Sequence, residues 1–122
     1  MADTDTLTPS DIIASASDEL GSTLAAVRGQ ALAATGEKRN QLFDQFDQLL
    51  RRHRRLMFRD LKAIDQDPAI VEAVQTLSEL TQRIAKVRRE MKNAKDAIDG
   101  ATKVLGFVDQ FLRILGKVGL LA

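Results

Sequence analysis

The sequence has no cysteine, tryptophan or tyrosine, only two prolines and one histidine, and each scarcity removes a class of structure or chemistry. Without cysteine there are no disulfides, thiolate metal sites or thiol nucleophiles. His53 has no second histidine and no clustered carboxylate motif beside it, so neither a metal nor any other cofactor is expected. Aromatic residues amount to 4%, all of them the five Phe, and the core must be built from Leu, Ile, Val, Ala and Met. That is the composition of helix-on-helix packing. The seven glycines form neither a P-loop nor a dinucleotide fingerprint. The formal net charge of +1 attracts neither nucleic acid nor anionic lipid by itself. The N-terminal residues lack the basic start and apolar run of a secretory signal, so a cytoplasmic location is the default expectation.

What is present is a balance of 44% apolar and 29% charged residues over 122 positions, which suits one globular domain with a modest core. The organising stretch is Leu77, Leu80, Ile84, Val87, Met91, Ala94, Ile98, Ala101, Leu105, Val108, Leu112 and Leu115, spaced 3-4-3-4 without interruption. This is the heptad signature of a helix that lays one apolar seam on partner helices. The fold class is therefore all-α, an antiparallel three-helix bundle or coiled-coil hairpin with a long third helix.

The expected elements follow in order. Residues 1–7 show no periodicity and are read as a mobile arm, with 8–122 as a single helical domain. Thr8-Pro9-Ser10-Asp11 supplies a cap, a first-turn proline and a capping-box acid for helix 1, about 9–34, and Gly36 is a natural stop. Ile13, Leu20, Leu24, Val27, Ala31 and Ala34 share its apolar face, with Ser17 filling the gap. The many Ala, Ser and Gly elsewhere on helix 1 predict close approach to its neighbours. Helix 2, about 37–64, carries a broad stripe from Leu42, Phe43, Phe46, Leu49 and Leu50 to Leu56 and Ile64, as expected of a helix with two neighbours. Pro68 opens helix 3 after a short turn, which predicts that helices 2 and 3 pack antiparallel.

Gly100 poses the main question. A mid-helix glycine costs about 1 kcal/mol relative to alanine, yet the seam passes through it in phase, which favours one continuous helix whose end projects beyond the helix 1–2 turn. A reversal at Gly100 would instead give helices of about 68–99 and 101–119 and an up-down-up-down four-helix bundle.

The C-terminal stretch carries the strongest functional signal. Val104, Phe107, Val108, Phe111, Ile114, Leu115 and Val118 crowd an apolar face beside a narrow polar stripe of Lys103, Asp109, Arg113 and Lys117. The charges argue against a membrane span. Such a face is either buried in the chain's own bundle, if the chain reverses ahead of it, or left to bind another protein or a second copy of the chain, the reading on which the functional expectation rests. The alternative is an amphipathic helix docked on a membrane surface, which would make the protein membrane-peripheral.

Arg51, Arg55 and Arg59 share one face of helix 2 and form a candidate basic contact surface. Without interleaved aromatics for base stacking, nucleic acid ranks below protein as its partner. The leading expectation is that Arg51 to Arg59 meet Glu72 to Glu79 across the hairpin, and Asp44 and Asp47 meet Arg83 to Arg89. The acidic segment 1–36 also suits pairing with the basic segment 37–64. His53 falls in phase with the apolar stripe, a packing position with one hydrogen bond. Asp96 and Asp99, beside Lys92, Lys95 and Lys103, read as ion-paired rather than tuned for proton transfer, and no catalytic role is expected. The sequence thus describes a non-enzymatic helical interaction module.

Overall fold

A computed structural model describes residues 8–56, 65 and 68–117. Helix α1, Pro9–Ala33, begins where its sequence dictates: the Thr8 side chain accepts from the Asp11 N–H, and the Asp11 carboxylate accepts from the Thr8 N–H at 3.1 Å. A second carboxylate reinforces this end, since Asp65 accepts from both the N–H and the hydroxyl of Ser10 at 2.8 and 2.9 Å. Thr35 is extended and Gly36 takes a left-handed φ of 64°, which turns the chain into helix α2, Gly36–Arg55.

Helix α3, Pro68–Arg89, and helix α4, Ala94–Lys117, complete the described elements. The long seam does not form one helix. The chain reverses at residues 90–93, ahead of Gly100, and the expectation of a continuous helix or of a break at Gly100 is corrected. Asn93 caps α4, its Oδ1 accepting from the Asp96 N–H at 2.8 Å while its Nδ2 donates to the Asp96 carboxylate at 3.0 Å. The turn was hidden because four residues replace about one helical turn of 3.6, so the apolar spacing runs on in sequence while the direction reverses in space.

Gly100 has a different role from a turn. It is buried within α4, and a Cβ there would meet Met91 Cε at 2.9 Å and Val87 Cγ1 at 3.0 Å, so its missing side chain sets how closely α3 and α4 approach. A Cβ on Gly21 or Gly29 would meet nothing within 4 Å. The glycines of α1 therefore do not serve the close approach expected of them.

Neighbour relations follow from side-chain contacts. Ser17 meets His53, making α1 and α2 antiparallel, and Gly100 beneath Met91 makes α3 and α4 antiparallel. Glu19 pairs with Arg88 at 3.0 Å, and Asp11, Ile12 and Ser15 share a cleft with Ser78, Thr81 and Gln82, so α1 and α3 run parallel. Gln45 Nε2 reaches Ile98 O and Thr102 Oγ1, and Arg52 reaches Asp109, so α2 and α4 also run parallel. Helices α1 and α4 approach across the bundle, while α2 and α3 share no packed face. The predicted helix 2–3 hairpin is replaced by two hairpins laid side by side.

The core is continuous. Ile13, Leu20 and Val27 of α1, Leu42 and Leu49 of α2, and Leu77 and Ile84 of α3 meet Val104, Val108, Phe111 and Leu115 of α4 at its centre.

Candidate functional site

The apolar C-terminal face is consumed by the fold itself. Val104, Val108 and Leu115 are fully buried, Phe111 is 1% exposed, and Phe107 and Ile114 are half-buried against the same core. The overhang predicted for this segment is absent from the described residues, because the reversal at 90–93 folds α4 back along α2 and α3. Val118 lies outside the described residues.

The basic run splits between two environments. Arg52 is held by Asp109, Nε to Oδ1 at 2.6 Å and an Nη to Oδ2 at 3.3 Å, a forked pair linking the parallel helices α2 and α4. Arg51, Arg54 and Arg55 stay exposed with no carboxylate in ion-pair range among the described residues, and Arg59 lies outside them. Among the described residues the charge matches expected between helices 2 and 3 do not occur, since α2 and α3 do not pack face to face. Among the described residues the ion pairs run from α1 to α3 and from α2 to α4, not from α1 to α2.

His53 occupies the half-buried position its phase implies. Its Nε2 lies 3.1 Å from both the hydroxyl and the carbonyl oxygen of Ser17, the residue that interrupts the apolar face of α1. Asp96 is engaged by Asn93 in the helix cap, which corrects its reading as a lysine partner.

Among the described residues, two surface clefts are lined as follows. One of about 220 Å³ is lined by Val87, Glu90, Asp96, Asp99, Gly100 and Lys103, and the other, about 210 Å³, lies between α1 and α3. Neither brings a nucleophile to a base within hydrogen-bond reach. Among the described residues no group of three His, Asp or Glu side chains could hold a metal ion, and no helix is long and apolar enough to cross a membrane.

The surface that sequence reasoning missed is the outer face of the α1–α2 hairpin. Phe43, Phe46 and Leu50 are only half-buried there, on the flank of α2 that turns toward α1. Leu32, on the matching flank of α1, is 56% exposed. A Cβ on Gly21 would meet nothing within 4 Å and Ala25 is exposed, so the α1 side of this flank carries little side-chain bulk. Arg39 lies over the Phe43 ring at 5.7 Å, and Asp18, Arg28 and Asp47 are exposed along the edges. One signal was available: the stripe of helix 2 is broad, and its Phe43 and Leu50 edge is only half-buried.

Comparison with family models, with curated proteins and with solved structures finds no match to this chain.

Proposed function

We propose that this protein is a non-enzymatic helical interaction module that works by contact with other protein surfaces. The observation that carries the reading is the exposed Leu32 beside the half-buried Phe43, Phe46 and Leu50 on the α1–α2 face, while the apolar seam of α3 and α4 is spent on the core. Contiguous apolar surface of this kind, rimmed by charges, is characteristic of contact sites. The contact surface is thereby moved from the C-terminal helix, where sequence put it, to the first hairpin. Membrane attachment through the C-terminal helix would require that helix to leave the bundle, exposing Val104, Val108, Phe111 and Leu115 together.

The test compares proteins that co-purify with the wild-type chain, with Leu32→Glu on the α1–α2 face and with Arg113→Glu on α4, each expressed in the native cell. The reading requires associated protein, counting a differently tagged second copy, to be lost with Leu32→Glu and retained with Arg113→Glu. Equal association in all three would overturn it.

A further inference from the structure

The four helices do not hold one another equally. Helices α1 and α4 approach across the bundle while α2 and α3 share no packed face, so α1 and α4 lie on its short diagonal and α2 and α3 stand at the far corners. Taking α2 away leaves α1, α3 and α4 still packed pairwise. Taking α3 away leaves the same kind of remainder, and burial decides between the two. Helix α3 buries Ile70, Leu77, Leu80 and Ile84, and its buried Thr81 hydroxyl donates to Leu77 O at 2.9 Å. Helix α2 buries only Leu42, Gln45 and Leu49 along its length, with Leu56 following at its C-cap. Its contact along α1 is extensive, yet the side chains it brings there are the half-buried Phe43, Phe46 and Leu50.

Gln45 is the weak point of that row. It is 5% exposed and stands between the two buried leucines, where the spacing calls for a third apolar side chain. Its Nε2 donates to Ile98 O and Thr102 Oγ1 of α4, both at 3.1 Å, while its Oε1 finds no partner among the described residues. Turning the amide over relieves nothing, because Oε1 would then face the Ile98 carbonyl, acceptor against acceptor. A buried polar atom left unpaired penalises the docked state alone, since water satisfies it once the helix leaves. The polar links that α2 makes elsewhere, Arg52 to Asp109 on α4 and His53 to Ser17 on α1, exchange for water at little net loss.

We infer that α2 is a detachable helix, which leaves as a unit from a bundle whose α1, α3 and α4 stay folded together. Away from the core a helix of this length is marginal in water, so departure also melts it. Phe43, Phe46 and Leu50 go with it, and the contact face on the first hairpin exists only while α2 is docked. That consequence rests on the interaction reading above, whereas the departure itself does not.

The experiment is native-state hydrogen exchange of the full chain, residue by residue, in low urea. Amides of α2 should exchange as one group, at least about tenfold faster than the slowest amides of α4. Two variants separate a detachable helix from a chain that opens only as a whole. Ile84→Val trims α3, which α2 does not pack against, and should speed exchange in α1, α3 and α4 about two- to tenfold while leaving α2 unchanged. Gln45→Leu removes the unpaired oxygen and leaves Ile98 O its bond from the Thr102 hydroxyl, so it should slow α2 about tenfold. One common rate for α2 and α4, an α2 rate that follows Ile84→Val, or an α2 rate that Gln45→Leu does not slow would each overturn the inference. Because exchange needs no partner, a failure of the interaction reading leaves this result intact.

Discussion

Gly100 of α4 lies directly beneath Met91, close enough that a β-carbon on it would stand 2.9 Å from Met91 Cε and 3.0 Å from Val87 Cγ1. Alanine at a helix interior ordinarily gains about 1 kcal/mol over glycine, whereas overpacking costs about 1–3 kcal/mol. Met91 can swing aside, but Val87 is stiff at its first torsion. Gly100→Ala should therefore lose about 1 kcal/mol, while Gly106→Ala, where the added carbon meets nothing within 4 Å, should gain about 0.5–1 kcal/mol. Urea denaturation of the two variants checks this, and equal gains would contradict the tight α3–α4 contact.

Phe111 is the largest fully buried side chain among the described residues, so Phe111→Ala should cost about 3–5 kcal/mol, a large share of a typical domain stability of about 5–15 kcal/mol. Half-buried Phe107→Ala should cost roughly half as much. A Phe111→Ala loss under about 1 kcal/mol would mean that α4 is not core.

The α3–α4 turn depends on its cap. Asn93→Ala removes the acceptor of the Asp96 N–H and should cost about 1 kcal/mol, whereas Asn93→Ser retains an acceptor there without facing the Asp96 carboxylate with a second charge and should cost little. Thermal unfolding distinguishes the two, and indifference to both would show that the turn is held by packing alone.

At the other hairpin's start the readout is acid. The Thr8 backbone N–H, and after it the Thr8 hydroxyl, hold the Asp11 carboxyl below its ordinary 3.8, with desolvation opposing weakly. A lowered folded-state pKa means the cap's contribution is fully present above 3.8 and is lost as pH falls through the folded value. NMR titration of Asp11 should give a midpoint below 3.8, and Thr8→Ala should raise it. A wild-type midpoint at or above 3.8 would show the capping box open in solution.

Local chemistry was well legible in the sequence. Thr8 and Asp11 cap as their spacing says, Pro68 opens a helix, and His53 replaces an apolar residue in phase. The reversal at 90–93 was obscured by a periodicity that a four-residue turn leaves intact. The signal that contradicts it is Asn93 with Asp96 three residues on, the same arrangement as Thr8 and Asp11. Helix adjacency was not legible. Matching Arg51 to Arg59 with Glu72 to Glu79 uses exposed charges worth under about 1 kcal/mol a pair, too little to choose between ways of stacking helices. Burial of the Leu42, Leu49 and Leu77 layers decides that, and period alone does not say which of two neighbours covers the edge of a wide stripe.

The parallel pairing of α1 with α3 and of α2 with α4 has a consequence for assembly. Each sequence-adjacent pair, α1 with α2 and α3 with α4, closes through a short turn and is a local structure, and the contacts linking the pairs come entirely from docking one on the other. Local hairpins form fast because little loop entropy is lost in closing them. A chain cut between Leu56 and Pro68 would still hold two whole hairpins with matching apolar faces, able to reconstitute the bundle as separate pieces.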